Sequence, residues 1–528
     1  MFQTTRAYNG MVVAPHHLAA QAGARVLQDG GNAIEAMIAA ASTIAVVYPH
    51  MNNLGGDNFW LVHEAGEVPV GFDACGASAQ LADAEFYGDH QSIPTRGPLA
   101  ALTVAGAVSG WQKAHKYSVE KFGGKLPLSR LLEDATSHAE NGVSVTQTLA
   151  NNMIGKLSEL ADLPGFADAY LVDGKPLKEG ARHTQKQLAE TLKTLAKNGL
   201  EDFYRGDLAR AIASDLEAVG SPLRLSDLER HQALQVTPLT LDVFGHKVFN
   251  MPPPTQGLAS LMILGVFERL GVKSVDDFAY AHGLVEATKC AFRVRDANVS
   301  DPEYMTSDPT DFLKPEFLDE LAKTVDSSRA APWPDAASSG DTVWLGAIDK
   351  EGRAVSFIQS VYWEFGSGVV LPQTGITWQN RGVSFSLDQN HHNCLKPLRR
   401  PFHTIQPALA QLSDGRVMPY GTLGGEGQPQ TQAMIFTRHV LHGQSLQQAI
   451  SAPRWLLGRT WGSEATNLRM ENRFDPELYD QLRAAGHDVE VVGGFEEIMG
   501  HAGALVHHPD GLIEGASDPR SDGAAVGV

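Results

Sequence analysis

The sequence is poor in cysteine. Its 528 residues include three cysteines, Cys75, Cys290 and Cys394, which are odd in number and far apart in the chain. Disulfide frameworks and thiolate metal sites need cysteines at close, paired spacings. The sequence therefore argues against a disulfide-stabilised scaffold and against a cysteine-based metal site.

Basic residues are also scarce. The chain has 42 Lys and Arg against 61 Asp and Glu, which gives a formal net charge of −19 at pH 7. Nucleic acids and anionic membranes are bound through basic surfaces. The charge thus excludes both from the expected partners and favours a small soluble molecule.

Long hydrophobic runs are missing. The N-terminal segment MFQTTRAYNGMVVAPHH lacks the apolar core and the small-residue cleavage site of a secretory signal. The best hydrophobic stretch, 33–47, is short and contains Glu35, which indicates a buried helix rather than a membrane span. We therefore expect a cytoplasmic protein.

Several motifs that carry well-known chemistry do not occur. No serine lies in a Gly-x-Ser-x-Gly elbow, which argues against an α/β-hydrolase. The glycines of 421–427 do not have the dinucleotide-binding spacing. Asp388, His391 and His392 have no third metal ligand at a suitable spacing. We expect neither a metal nor another cofactor.

Local patterns predict an α+β protein. Two predicted helices flank Gly30-Gly31-Asn32, and Asn32 is placed to accept hydrogen bonds from the N–H groups that open the second helix. Runs rich in β-branched and aromatic residues predict hairpins around turns at 64–67, 350–352 and 509–511. Apolar periodicity predicts helices at 190–198, 258–270, 430–441 and 476–485. We expect an antiparallel sheet core, drawn from both halves of the chain and covered by helices.

The dipeptide Asp341-Thr342 marks an abrupt change in the chain. The preceding segment SSRAAPWPDAASSG, at 327–340, has the composition of an exposed loop, whereas TVWLGAID begins a strand at Thr342. If the bond before Thr342 were broken, this residue would carry a nucleophilic hydroxyl and an α-amine with a pKa of about 7.7–8.0. The ordinary alternative is a surface loop that enters a hairpin.

A glycine pair supplies a second candidate feature. Gly424 and Gly425 lie in the segment YGTLGGEGQ. Adjacent glycines can present backbone N–H groups to a developing oxyanion, because no Cβ stands in the way. A tight turn is the structural alternative for the same pair.

The motifs, in their order along the chain, resemble those of the γ-glutamyltransferase-like family of N-terminal-nucleophile hydrolases. Each motif is weak alone, and their common order is specific. The matching segments are GGNAIEAMIAA (30–40), PHMNNLGG (49–56), PPPTQG (252–257), GDTVWLGAIDKEGRAVS (340–356), FGSGVVLPQTGI (365–376), LGGEG (423–427), APR (452–454) and GASDPRSDG (515–523).

The resemblance implies a four-layer αββα sandwich, made as a precursor that cleaves itself between Asp341 and Thr342. Residues 1–341 would form a large subunit and 342–528 a small one that stay together as one unit, with a dimer of such heterodimers as a further possibility. Thr342 occupies the family's nucleophile position, and Ser360 that of a supporting hydroxyl. Gly424 and Gly425 occupy the position of the family's oxyanion hole.

Four positions depart from the transpeptidase pattern. Asp73 stands where an arginine usually holds the glutamyl carboxylate, and Ser384 replaces the acidic residue that binds the α-amine. His403-Thr404 replaces a serine pair, and Tyr362 stands where a polar residue that contacts the amine is common. A glutamyl group would therefore lose its best contacts.

The variant pattern is similar to that of family members that hydrolyse small amides, and it implies oxamate as substrate, with oxalate and ammonia as products. Oxamate has no α-amine but keeps a carboxylate. Arg381, Arg399 and Arg400 are the nearby cations in the sequence, and His403 and Thr404 are candidate donors to that carboxylate.

Two alternative functions stay open. One is a γ-glutamyl hydrolase, transpeptidase or other acylase on the same scaffold. The other is a non-catalytic binding protein that has kept the fold, although such a protein would have little reason to retain Thr342, Ser360 and the glycine pair together.

Overall fold

The computed structural model describes residues 3–333, 341–458 and 466–528. The predicted loop at 327–340 therefore lies in part, at 334–340, outside the described residues. The helices are α1 His17–Gln28, α2 Ala33–Val47, α3 Ala84–Tyr87, α4 Ala107–Tyr117, α5 Leu128–Leu131, α6 Glu133–Asn141, α7 Gln147–Leu160, α8 Phe166–Tyr170, α9 Lys186–Asn198, α10 Asp202–Arg205, α11 Asp207–Val219, α12 Leu225–Arg230, α13 Gly257–Leu270, α14 Phe278–Asn298, α15 Pro315–Lys323, α16 Gly427–Phe436, α17 Leu446–Ser451 and α18 Pro476–Ala484.

The strands are β1 Thr5–Ala7, β2 Gly10–Ala14, β3 Asp57–His63, β4 Val70–Ala74, β5 Val143–Ser144, β6 Leu171–Val172, β7 Lys175–Pro176, β8 Arg182–His183, β9 Leu234–Val236, β10 Leu239–Val243, β11 His246–Asn250, β12 Asp341–Asp349, β13 Ala354–Tyr362, β14 Ala408–Gln411, β15 Val417–Thr422, β16 Trp455–Leu457, β17 Leu468–Glu471, β18 Val489–Val492, β19 Ala502–His507, β20 Ile513–Ser517 and β21 Ala524–Gly527. Short 3₁₀ or π segments lie at Pro98–Ala100, Ser118–Phe122, Pro302–Tyr304, Pro309–Leu313, Arg381–Ser384, Thr437–Leu441 and Glu497–Met499.

Two antiparallel sheets form the centre of the described chain, each with seven strands. The first sheet has the order β21-β2-β12-β13-β3-β4-β9, and the second has the order β1-β20-β19-β15-β14-β11-β10. Each sheet contains strands from both halves of the chain; for example, β12 and β13 lie between β2 and β3. This arrangement confirms the predicted antiparallel core drawn from both halves.

The two sheets pack face to face, with helices on both outer faces. Trp344 and Ile348 of β12 point into the apolar layer between the sheets, whereas Val343, Leu345 and Ala347 face the helix layer that contains α2. This alternation follows from the two-residue period of a strand. Helices α13, α14 and α16 cover the second sheet. The predicted four-layer αββα sandwich is thus confirmed.

Local sequence signals confirm several elements. Asn32 caps α2 through its side-chain oxygen, which accepts hydrogen bonds from the N–H groups of Ile34 and Glu35. The three predicted hairpins form as β3–β4, β12–β13 and β19–β20. All of α2 is buried, as predicted for the stretch 33–47. Among the described helices, none combines the length and apolarity needed to span a membrane.

The Gly55-Gly56 pair fixes how closely β13 approaches the loop before β3. A Cβ added to Gly56 would lie 2.1 Å from the Ser360 carbonyl oxygen, and one added to Gly55 would lie 2.2 Å from that of Thr377. Both contacts are with backbone atoms, which cannot move aside as a flexible side chain can. The glycines of PHMNNLGG therefore allow the strand that carries Ser360 to reach its position.

Replacing Gly56 with alanine is expected to destabilise the protein by about 1–3 kcal/mol or more, because the backbone must shift to accept the methyl group. Thermal unfolding checks this. Gly155→Ala is the matched control, since no atom lies within 4 Å of a Cβ added there in α7. That control is expected to stabilise by about 0.5–1 kcal/mol. Equal stability of the two variants would contradict the packing argument.

Candidate active site

Thr342 lies at the start of β12, in the middle of the first sheet, and is fully buried. The register between β12 and β13 shifts at this end of the ladder, so that Thr342 alone lies opposite two residues, Ser360 and Val361. Such a bulge bends the strand and changes the direction of its side chains. The structure thus brings the two predicted hydroxyl residues, Thr342 and Ser360, to neighbouring positions on adjacent strands.

Polar groups surround both hydroxyls. The side-chain amide of Gln428 donates to Thr342 Oγ1 at 3.3 Å. Ser360 Oγ accepts a hydrogen bond from the backbone N–H of Tyr362 at 2.7 Å. Gln428 lies in the first turn of α16, three residues after Gly425. This residue had no role in the sequence predictions, although it ends the quoted segment YGTLGGEGQ.

Gly424 and Gly425 form the turn between β15 and α16. Their φ angles are +113° and +50°, in the region that favours glycine. Gly424 O accepts from the N–H of Gly427, and Gly425 O accepts from the side chain of Gln256. Within the part of the chain that the structure describes, the N–H groups of the pair make no hydrogen bond to another backbone group. At the N-terminal end of a helix, they can stabilise an oxyanion.

A buried network holds this glycine turn in place. Gln256 donates to the carbonyl oxygens of Thr404 at 2.6 Å and Gly425 at 2.7 Å. Arg295 donates to Gln256 Oε1 at 2.8 Å and to Glu426 Oε1 at 2.7 Å. The sequence predictions missed these supporting residues. The motifs PPPTQG and LGGEG contain Gln256 and Glu426, so the signal was present, whereas Arg295 lies outside every quoted motif.

Arg381 is fully buried at the start of the 3₁₀ segment Arg381–Ser384. Its Nη1 donates to Thr404 Oγ1 at 3.2 Å, and its guanidinium lies 3.6 Å from the centre of the Tyr362 ring. Tyr362 has a φ of +85°, which is rare for a residue with a side chain. Within the described chain, Nε and Nη2 of Arg381 have no hydrogen-bond partner. Burial lowers the pKa of Arg381 to about 10, so the group stays cationic at neutral pH.

His403 is also fully buried, and its Nε2 lies 2.8 Å from Asp57 Oδ2. Asp57 Oδ1 accepts hydrogen bonds from the N–H groups of Gly76 and Gly106 and from the amide of Gln379. Burial raises the pKa of Asp57 to about 7 and lowers that of His403 well below its ordinary value. The sequence predictions included His403 but missed Asp57, which directly follows the quoted segment PHMNNLGG.

Arg400 and Asp73 bind each other. Arg400 Nη1 donates to Asp73 Oδ2 at 3.0 Å, and Nη2 donates to Asp301 Oδ1 at 3.0 Å. The three residues line a cavity of about 200 Å³ together with Cys75. The two carboxylates neutralise Arg400, so it has less positive charge and fewer free N–H donors for a substrate carboxylate than Arg381 has. In the same region, Arg399 donates through Nη1 and Nη2 to Cys394 O, His392 O and Ser300 Oγ.

Ser384 directs its hydroxyl to the backbone. Its Oγ donates to the carbonyl oxygen of Phe402 at 3.0 Å, and its own carbonyl accepts from Asn393. The predicted substrate-binding residues thus fall into two groups. One contiguous group consists of Arg381, Tyr362, His403 and Thr404. The other is the ion pair of Arg400 and Asp73.

Among the residues that the structure describes, two groups of donor atoms are close enough to be considered as metal ligands: Asp57, Cys75 and His403, and His282, Glu286 and His487. In the first, Asp57 and His403 already share a hydrogen bond, and the cationic Arg381 acts on both. In the second, the ammonium of Lys289 binds Glu286 at 2.7 Å, and the two histidines bind each other. Both groups are accounted for by these internal contacts.

The fold has close relatives among solved structures. It is similar to cephalosporin acylase from Bacillus halodurans, with a TM-score of 0.92 and 32% identity over 100% of this chain and 97% of the other. The αββα sandwich matches that of the N-terminal-nucleophile hydrolases, which are enzymes that act on amide bonds. The sequence profile of the gamma-glutamyltranspeptidase family matches residues 19–528, and the chain belongs to that family.

Two curated relatives cover nearly the whole chain. The oxamate amidohydrolase proenzyme of Klebsiella pneumoniae is 54% identical over 98% of each chain. The glutathione hydrolase-like YwrD proenzyme of Bacillus subtilis is 41% identical, again over 98% of each chain. The family resemblance inferred from the motifs is thereby confirmed.

Proposed function

We propose that this protein is a self-processing amidohydrolase that hydrolyses the amide of a small carboxylic acid, with oxamate as its substrate. The observation that carries the proposal is the buried guanidinium of Arg381, which has two nitrogens without a partner in the described chain. Asp57 acts on this cation through its charge, but the two buried nitrogens still need hydrogen-bond acceptors. A substrate carboxylate supplies them.

Self-processing starts with the intact bond between Asp341 and Thr342. The Thr342 hydroxyl attacks the Asp341 carbonyl carbon, the C–N bond breaks, and an ester with a new α-amine results. Water then hydrolyses the ester. The burial of Thr342, the Gln428 contact and the bulge beside Ser360 support this step, since they hold the hydroxyl in a dry, fixed position.

The two pieces are expected to stay together after cleavage. Strands β12 and β13 of the small piece lie between β2 and β3 of the large piece, and β21 of the small piece pairs with β2. Separation would break the ladders on both sides of this hairpin and expose the apolar layer between the sheets. The topology therefore favours a stable heterodimer.

In the catalytic cycle, the α-amine of Thr342 takes the proton of its own hydroxyl as Oγ attacks the substrate carbonyl. The N–H groups of Gly424 and Gly425 stabilise the oxyanion. Ammonia leaves with that proton, and an ester with Thr342 remains. Water hydrolyses the ester, which gives the acid and restores the hydroxyl.

Oxamate suits this site because its carboxylate is bonded directly to the reacting carbonyl and it has no α-amine. Arg381 can hold the carboxylate through Nε and Nη2 as a bidentate pair. The similarity to an oxamate amidohydrolase proenzyme, at 54% identity, supports the same substrate. The alternative is a γ-glutamyl or acylase activity, which the similarity to a glutathione hydrolase-like proenzyme favours.

Ammonia release from oxamate, compared with product release from γ-glutamyl-p-nitroanilide, tests the assignment. We expect oxamate to be the better substrate by kcat/KM. The uncharged analogue oxamide serves as a control for the carboxylate contact and is expected to react poorly. Turnover of the γ-glutamyl amide without turnover of oxamate would overturn the proposed substrate and leave the self-processing mechanism in place.

A further inference from the structure

The Asp57–His403 pair lies in the same row of the first sheet as the nucleophile. Asp57 is directly opposite Ser360 in the ladder between β3 and β13, and Ser360 neighbours Thr342 on the next strand. Directly opposed residues share one face of a sheet. Asp57 is thus two strand spacings from Thr342, about 10 Å, with Ser360 on the strand between them.

Three buried nitrogens in this region have no partner within the described chain: His403 Nδ1, Arg381 Nε and Arg381 Nη2. The two side chains are linked, because Arg381 Nη1 donates to the hydroxyl of Thr404, the residue next to His403. Unpartnered buried polar groups are rare and need an explanation. One carboxylate has acceptor sites for all three nitrogens, provided that His403 Nδ1 carries a hydrogen.

The state of Asp57 decides whether Nδ1 carries that hydrogen. When Asp57 is ionised and His403 neutral, the Nε2–H donates to Asp57 Oδ2, and Nδ1 presents a lone pair. One proton added to the pair resides either on Asp57, which then donates to Nε2, or on the imidazole. In both cases Nδ1 carries a hydrogen and becomes a donor.

The surroundings of the pair bring its pKa for the uptake of this proton close to physiological pH. Burial raises the pKa of Asp57 to about 7, against the opposing charge of Arg381 and the hydrogen bonds from Gly106, Gln379 and Gly76. Among the described residues, Cys75 and Tyr204 also face the pair; burial raises the pKa of each, and the negative charge of Asp57 raises it further. Both of them stay neutral near pH 7. A substrate carboxylate at Arg381 adds negative charge beside Asp57, which favours uptake of the proton.

We propose that the Asp57–His403 pair takes up one proton when a carboxylate substrate binds, and that this proton makes His403 Nδ1 a hydrogen-bond donor to the substrate carboxylate. The inference rests on the proposed function, since it names a second contact for the carboxylate that Arg381 holds. The direction of the pH dependence follows from linkage. The substrate-bound protein has the higher proton affinity, so the substrate binds most tightly at low pH and more weakly as pH rises.

Asp57→Asn is the sharpest test, because the two carboxylate oxygens of Asp57 have different partners. Oδ1 accepts hydrogen bonds from Gly76, Gly106 and Gln379, whereas Oδ2 binds His403. In this variant, the amide oxygen of the new asparagine can still accept from Gly76, Gly106 and Gln379, while its amide nitrogen donates to His403 Nε2 and fixes the hydrogen on Nδ1. The KM for oxamate is measured from pH 5.5 to 9. In the wild type it is expected to rise above about pH 7, by up to about tenfold per pH unit. In Asp57→Asn it is expected to stay at the low-pH value throughout.

Asp215→Asn is the matched control. Asp215 is another buried carboxylate with two hydrogen bonds, both to Gln373, and it lies outside the site. This variant is expected to keep the wild-type slope of KM against pH. A purely structural role of Asp57 would instead raise KM at every pH and leave the slope unchanged, which would overturn the inference.

Calorimetry provides a test that needs no variant. Oxalate is titrated into the processed wild type at pH 8, in buffers of different ionisation enthalpy, and uptake of about one proton per site is expected. Binding without proton uptake, or the same KM profile in wild type and Asp57→Asn, would overturn the inference. Neither result would affect the proposed function, which fails separately if oxamate is not hydrolysed at all.

Discussion

Replacing Thr342 with alanine is expected to leave the protein as one chain of 528 residues and to abolish amide hydrolysis. The same hydroxyl attacks the Asp341 carbonyl during processing and the substrate carbonyl during catalysis, so both reactions lose their nucleophile. Loss of the nucleophile in a comparable hydrolase mechanism costs about 10⁶-fold in rate. Gel analysis of the purified variant and an ammonia assay measure the two effects.

Thr342→Ser is the matched control for this prediction. Serine keeps the hydroxyl and, after cleavage, the α-amine, so the variant is expected to process and to retain activity at a reduced rate. The buried site around β12 tolerates the loss of one methyl group at a cost of about 1 kcal/mol. Cleavage of Thr342→Ala at the normal position would show that another group performs the attack.

Replacing Arg381 with methionine is expected to reduce kcat/KM for oxamate by about 30- to 5,000-fold. This range corresponds to about 2–5 kcal/mol, the usual cost of removing one member of a buried charge pair. The fully buried guanidinium is held by Thr404 and Tyr362 and has no partner for Nε and Nη2 in the described chain. Steady-state kinetics with oxamate and oxamide measure the effect.

The comparison with oxamide separates binding from folding. Oxamide has no carboxylate, so its slow turnover is expected to be the same in wild type and Arg381→Met. Stability is expected to hold or to rise, because a buried cation is replaced by an apolar side chain of similar length. Arg381→Lys keeps a charge but loses the planar pair of donors, and we expect an intermediate activity. An equal loss of oxamate and oxamide turnover would contradict the assigned carboxylate contact.

Much of the fold could be predicted because its signals are local. Asn32 marks the start of α2 through hydrogen bonds to residues at most three positions away, and the turns at 350–352 and 509–511 mark hairpins between their flanking strands. The order of the strands could not be derived in this way. β2 and β21 pair although they lie at opposite ends of the chain, and no sequence pattern within either strand indicates which strand it pairs with. The family resemblance supplied the four-layer sandwich, but it gave no strand order.

The site residues likewise divide into those with a local sequence signal and those that depend on long-range contacts. Thr342 could be singled out by the change from loop to strand, and the glycine pair by its composition. Burial and pairing are tertiary properties, however, so the sequence could not separate Arg381 from Arg400, which Asp73 and Asp301 neutralise. Asp57 was missed for the same reason, since its partner His403 is 346 residues away in the chain.

The intact mass of purified, active wild-type protein shows whether the chain is cleaved before Thr342. We expect two chains, of 341 residues ending at Asp341 and of 187 residues beginning at Thr342, in a preparation that releases ammonia from oxamate. A single full-length chain in such an active preparation would contradict the self-processing mechanism, because Thr342 would then have no α-amine to act as the base.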